Sequence, residues 1–250
     1  MLKTGWETSL VKPLPQCAIH GVPFVHLGSR SLCPHCLDQM TASRRQTAAR
    51  HAQAEAEEQM RRRLVSSRIP PRYHHAAFDA LKLSAGHEDR MQRLHAAMAR
   101  YCEAFETFRD RRTGFLFVGE PGTGKTHLAC TMAIELIKKG YKARYISMPS
   151  LTLEIRASYK DRTISVQGLI QDLVHADFLV VDEIDLHGAS DADYQVLYEI
   201  INARYVAGGR PVLALSNRSK DFLMKDLNER IISRILGEYP ENNFNWPAFR

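Results

Sequence analysis

Eight residues, Gly119-Glu120-Pro121-Gly122-Thr123-Gly124-Lys125-Thr126, read G-x-x-x-x-G-K-T. They stand between the apolar run GFLFVG (114–119) and the helix-patterned KTHLACTMAIELIKKG (125–140), the strand, loop and helix order that such a sequence requires. A chance match is expected roughly once in a hundred chains of ordinary composition, so Lys125 is not an incidental lysine. The glycines let the backbone wrap closely, so that its N–H groups and the helix N-terminus cradle phosphates. Lys125 would meet the β and γ charges and the Thr126 hydroxyl would ligate Mg²⁺. The candidate contact set runs from Gly119 through Glu120, Pro121, Gly122, Thr123, Gly124, Lys125 and Thr126 to His127.

Further apolar runs follow at ARYISM (143–148), DFLVVDEI (177–184) and PVLALSN (211–217), with helical stretches between them. Continuous apolar runs of this length read as strands buried on both faces. In the helix after the loop, Leu128, Met132 and Leu136, and Ala129, Ala133 and Ile137, recur at helical spacing, and Gly140 ends it. The expected fold class is therefore α/β, a parallel sheet between two helical layers.

A loop that holds a triphosphate also needs an acid to organise the metal and a group to activate water. Asp182 and Glu183 close the apolar strand FLVV: the first would hold Mg²⁺ through water and the second would act as general base. Asn217 closes PVLALSN, and adjacent parallel strands deliver their C-terminal ends to one crevice, where its amide could orient the water. Alone, each of these would be a turn residue.

Together GEPGTGKT, LVVDEI, LALSN and LNERIISR (227–234) resemble the Walker A, Walker B, sensor 1 and box VII segments of AAA+ ATPases, over about residues 69–250. SRIPPRYHHAAFD before the core and FNWPAFR after it are similar to the DnaC-type replicative helicase loaders, with the IstB-type transposition ATPases as close relatives. This resemblance implies an ATPase whose partners are a hexameric replicative DNA helicase, single-stranded DNA and further copies of itself. It implies an arginine finger acting in trans, with Arg234 at the finger position and Arg230 beside it. It also implies an extra helix along a single-strand channel, where Arg156, Tyr159, Lys160 and Tyr194 would neutralise phosphates and stack bases. The sequence shows no lid domain and no helix-turn-helix after residue 237, which disfavours a DnaA-type initiator. A small-molecule kinase is disfavoured by the missing acceptor-site motifs, and a regulator of a transposase stands as the alternative.

Cys17-Ala-Ile-His20 and Cys33-Pro-His-Cys36 form two x₂-spaced pairs twelve residues apart, which suits one structural Zn²⁺; His26 or His35 could replace His20. Cys102 and Cys130 fall in helical patterns and read as buried thiols. The expected organisation is a zinc-binding head (1–40), a basic helical linker without a core-facing stripe (41–68), ended by IPP at 69–71, and the ATPase core (69–250). Residues 1–113 hold 18 Lys and Arg against 11 Asp and Glu, whereas 114–250 hold 16 against 17, so the basic excess is N-terminal and suits a polyanion or an acidic partner. At 44% hydrophobic and 25% charged residues the composition excludes collagen-like, disordered and disulfide-scaffold classes. With neither an export signal nor a membrane-length apolar run, the chain is expected in the cytoplasm.

Overall fold

The computed structural model describes residues 15–27, 30–109, 111, 113–160, 166–185, 189–225, 229–236 and 241–249, the side chains of His26, Leu27, Arg30, Tyr159 and Lys160 lying outside that description. Two compact units divide between Gln59 and Met60. In the first, strands β1 (Val25–Leu27) and β2 (Arg30–Leu32) form an antiparallel pair and lead into helix α1 (Pro34–Ser66). Pro34 is tolerated as the first helical residue because the N–H it lacks would have no partner there.

No residue of α1 is buried, as its Ala, Arg, Gln and Glu content leads one to expect. The expectation of no core-facing residue fails in its last turns, within the second unit. Met60 and Leu64, four apart and so on one face, pack against that unit's core. Nor does the proline pair end the helix. It stops at Ser66, before Arg68 takes a left-handed φ of 63°.

The second unit is built on a five-stranded sheet of order β4-β5-β6-β3-β7, every neighbouring pair parallel. Its strands are β3 (Phe115–Gly119), β4 (Ala143–Ser147), β5 (Phe178–Asp182), β6 (Val212–Ser216) and β7 (Asn242–Phe244). The last is a correction, since no strand was expected after PVLALSN. Asn-Asn-Phe has no apolar run to announce it, and only pairing with β3 makes it a strand.

Side chains alternate across the sheet with period two. Phe115, Phe117, Phe178, Val180, Leu213 and Leu215 face one core, and Leu116, Val118, Leu179, Val181, Val212 and Ala214 face the other. On the first face lie α2 (Glu88–Glu103), α3 (Phe105–Phe108) and α4 (Lys125–Lys138), and on the second α5 (Met148–Lys160), α6 (Val166–Val174), α7 (Asp191–Val206) and α9 (Glu229–Leu236), after the short α8 (Lys220–Leu223). Full burial of each such side chain is worth about 1.5–3 kcal/mol, which is why both faces need a helical cover. Three-layer αβα architecture is thus the observed fold.

Arg204 of α7 is wholly buried. Its guanidinium donates to the carbonyls of Leu173 (2.6 Å), Val174 (3.1 Å), Ala176 (2.8 Å) and Pro211 (2.9 Å). These are the end of α6 and the approach to β6, so one side chain caps the carbonyls at the end of α6 and adds a second donor to that of Pro211, which already accepts from Leu179 N at 3.2 Å. Cys102 and Cys130 are buried as expected, and burial pushes the Cys102 thiol up to about 12 and Cys130 upward as well.

Candidate functional site

The loop between β3 and α4 takes the conformation its glycines permit. Gly124 is left-handed at φ 91°, and a side chain at Gly119 would bring a Cβ within 2.5 Å of the Phe244 carbonyl oxygen. Thr123 Oγ1 donates to the Glu120 carbonyl at 2.8 Å, and Lys125 Nζ donates to the carbonyls of Gly119 (2.7 Å) and Glu120 (2.9 Å). The loop therefore curls round its own lysine. Lys125 is only 6% exposed, and burial lowers its pKa against the pull of Asp182, Asp185 and Glu120.

Strand ends bring the acids to this loop. Thr126 Oγ1 lies 3.0 Å from Asp182 Oδ2, across 56 positions of sequence. Glu183 has a left-handed φ of 53°, a conformation that costs a non-glycine residue about 1–3 kcal/mol and recurs at functional sites. Burial, then Asp182 and Asp185, raise its pKa, the direction that makes a carboxylate a better base. The Asn217 backbone N–H donates to the Asp185 carboxylate at 3.3 Å. Pro121, Gly122, Gly124, Lys125, Thr126, His127, Asp182, Glu183 and Asn217 all line one cavity of about 360 Å³. The sequence candidates from three separate segments are thus brought together.

Arg72, Tyr73, Ser216 and Phe249 also line that cavity, and none was singled out from the sequence. Arg72, Tyr73 and Phe249 stand in the flanking strings SRIPPRYHHAAFD and FNWPAFR, so a signal existed without a role attached to it. Phe249 and His127 also wall a second, mainly apolar cavity of about 280 Å³ lined by Leu81, Met91, His95, Phe244 and Trp246. Residues 246–249 hold the phosphate loop from outside: Trp246 Nε1 donates to the Thr123 carbonyl at 2.8 Å and Phe249 N to the Gly122 carbonyl at 2.9 Å.

The arginines of box VII do not line the phosphate cavity of their own chain. Arg230 is exposed on α9. Arg234 stacks its guanidinium 4.9 Å from the ring centre of Tyr198 and 5.6 Å from that of Tyr205, both on α7. Among the residues expected to meet DNA, Arg156 is paired with the buried Asp193 carboxylate at 3.2 Å, and Tyr194 is half-buried against the second core. The side chains of Tyr159 and Lys160 lie outside the described residues.

In the first unit, Cys17, His20, Cys33 and Cys36 converge, with all four ligand atoms within 4.8 Å of one another. Cys17 Sγ is 3.7 Å from both His20 Nδ1 and Cys36 Sγ, and His20 Nδ1 is 3.6 Å from Cys33 Sγ and 3.4 Å from Cys36 Sγ. A tetrahedron with Zn–S bonds of about 2.3 Å has edges of about 3.8 Å, so the spacing fits zinc and is far too long for a disulfide. The backbone N–H groups of His20 and Ile19 draw the Cys17 thiol down to about 6, toward the thiolate a metal needs. His35 is exposed beside the cluster and the side chain of His26 lies outside the described residues; among the described residues the fourth converging atom is His20 Nδ1.

A parallel αβα sheet with a G-x-x-x-x-G-K-T loop facing an Asp-Glu pair defines the class: a P-loop ATP-binding protein of AAA+ architecture. Residues 37–224 match the model of the IstB-like ATP binding proteins, and the chain belongs to that family. It is 30% identical over 209 residues to the replicative helicase loader DnaC of Escherichia coli (strain K12), covering 82% of each chain. In fold it is similar to the crystal structure of the DnaC helicase loader, with a TM-score of 0.59 and 21% identity over 70% of this chain and 99% of that one. The AMPPCP-bound DnaA of Aquifex aeolicus is also similar, with a TM-score of 0.56 and 19% identity over 70% of this chain and 51% of that one. No helix among the described residues is long and apolar enough to cross a membrane.

Proposed function

We propose that this chain is an ATP-hydrolysing loader that binds a replicative DNA helicase and single-stranded DNA and places the helicase on DNA. The observation that carries this reading is the 30% identity to a replicative helicase loader across 82% of both chains, in a protein whose loop, acids and polar strand end line one cavity. In the mechanism, Lys125 and the loop amides hold the β- and γ-phosphates, and the apolar cavity bounded by Phe249 and Trp246 takes the base. Mg²⁺ held by Thr126 and, through water, by Asp182 would neutralise developing phosphate charge. Glu183 accepts the proton of the attacking water, and Asn217 orients that water. Arg234 completes the site of a neighbouring copy. Residues 1–40 form a zinc-held head, 41–68 a basic linker and 69–250 the ATPase core, in which Arg156, Tyr159, Lys160 and Tyr194 face single-stranded DNA. Arg156 would have to exchange Asp193 for a phosphate to do so.

Regulation of a transposase is the second reading, favoured by the family model over residues 37–224. Capture experiments against a replicative helicase and against a transposase, each with and without ATP, separate the two. Helicase retention that Lys125→Ala abolishes and Glu183→Gln preserves supports the loader, because only the first variant loses the phosphate cradle. ATP-dependent retention of the transposase alone overturns it.

A further inference from the structure

Tyr145 lies on β4, the edge strand, and does not line the phosphate cavity, yet its hydroxyl donates to Asp182 Oδ2 at 2.8 Å. Thr126 donates to the same oxygen at 3.0 Å, and the backbone N–H of Glu183 donates to Oδ1 at 2.8 Å. A carboxylate offers about four lone-pair sites, so three are filled by the protein and the remaining direction is fixed. The register explains the reach. Tyr145 is paired with Val180, which shares a face with Asp182 two residues on, so only a long side chain with a terminal donor spans the diagonal. Tyr145 is itself held, since its backbone N–H donates to the carbonyl of the fully buried Ser67 at 2.8 Å, on the open edge of β4.

We infer that Tyr145 is a positioning residue that aims the Asp182 carboxylate at Mg²⁺ and thereby sets how much Mg²⁺ the protein needs to hold its nucleotide. The inference rests on the reading of Thr126 and Asp182 as the metal-holding pair. Without the hydroxyl, Asp182 keeps two donors and two open lone-pair directions and rotates more freely, so the direction it would offer the metal is no longer fixed. Nucleotide contacts that do not pass through the metal are untouched.

The test titrates a fluorescent ATP analogue against wild type and Tyr145→Phe, from chelator to excess Mg²⁺. Phenylalanine keeps the ring in the core, so thermal stability should change little. Half-saturating Mg²⁺ should rise about tenfold, the order that losing one hydrogen bond to a charged acceptor carries. Affinity in chelator should stay the same, and in an Asp182→Asn background the Tyr145 change should add nothing. An equal loss of affinity with and without Mg²⁺, or an unchanged Mg²⁺ dependence in the variant, overturns the inference alone. Wild-type binding that ignores Mg²⁺ overturns the metal-pair reading and the inference with it.

Discussion

The indole N–H of Trp246 donates to the Thr123 carbonyl at 2.8 Å, tying the segment after β7 to the middle of the phosphate loop. The loop's inward face is left to phosphate while its outward carbonyls are held by residues 246–249. Trp246→Phe should therefore weaken nucleotide binding several-fold with about 1 kcal/mol of lost stability, the value of one hydrogen bond. Trp246→Ala also opens the core beside Phe244 and should lose about 3–5 kcal/mol. Nucleotide titration alongside thermal unfolding separates the two effects, and unchanged affinity in Trp246→Phe would remove the segment from the site.

Arg204→Met should be among the most destabilising single changes in the core. It fills similar volume but removes the guanidinium donor from the carbonyls of Leu173, Val174 and Ala176, while Pro211 keeps only its bond from Leu179 N. Buried unsatisfied groups cost about 1–3 kcal/mol each, and partial relaxation makes a total near 3–5 kcal/mol reasonable. Chemical denaturation measures it, and a loss under about 1 kcal/mol would mean that water replaces the guanidinium.

Arg204 also shows where sequence reading ends. The loop, Asp182, Glu183 and Asn217 were legible because each closes an apolar run, and a parallel sheet gathers strand ends on one edge. Arg204 sits in a helix where an arginine is ordinarily solvated, and nothing local states that its neighbours' carbonyls come from residues about 30 positions away. Tyr145 failed in the same way: within ARYISM it reads as one more strand residue, and only the β4–β5 register aims it at Asp182. β7 was missed because Asn-Asn-Phe becomes a strand through its partner and not through its own pattern.

Purified protein should carry one zinc per chain. Cys33→Ser should lose it and unfold the head while leaving nucleotide binding intact, because the four ligand atoms all lie before Gln59 and the loop lies beyond it. Elemental analysis and a nucleotide titration on the same sample check both halves. A metal-free wild type with a protected head under limited proteolysis would refute the site.

Arg234 should act on a neighbouring copy's nucleotide. Its helix α9 packs on α7, where Tyr198 and Tyr205 cradle the guanidinium, and Nη1 is buried without a hydrogen-bond partner among the described residues. A guanidinium kept off its own chain's cavity yet held in a fixed stack is pre-organised for an acceptor that another molecule brings. A positive charge reaching the γ-phosphate of a loose transition state is worth about 10³ to 10⁵ in rate, whereas an exposed surface charge contributes little. ATPase activity per chain should therefore rise with protein concentration and fall to the unassembled level in Arg234→Ala. The decisive measurement mixes Arg234→Ala chains, held at the unassembled level, with Lys125→Ala chains, which bind no nucleotide. A mixed assembly pairs an intact loop from one chain with an intact arginine from the other, and phosphate release should return. If the two variants co-assemble and no phosphate is released, Arg234 is a packing residue whose partners are Tyr198 and Tyr205.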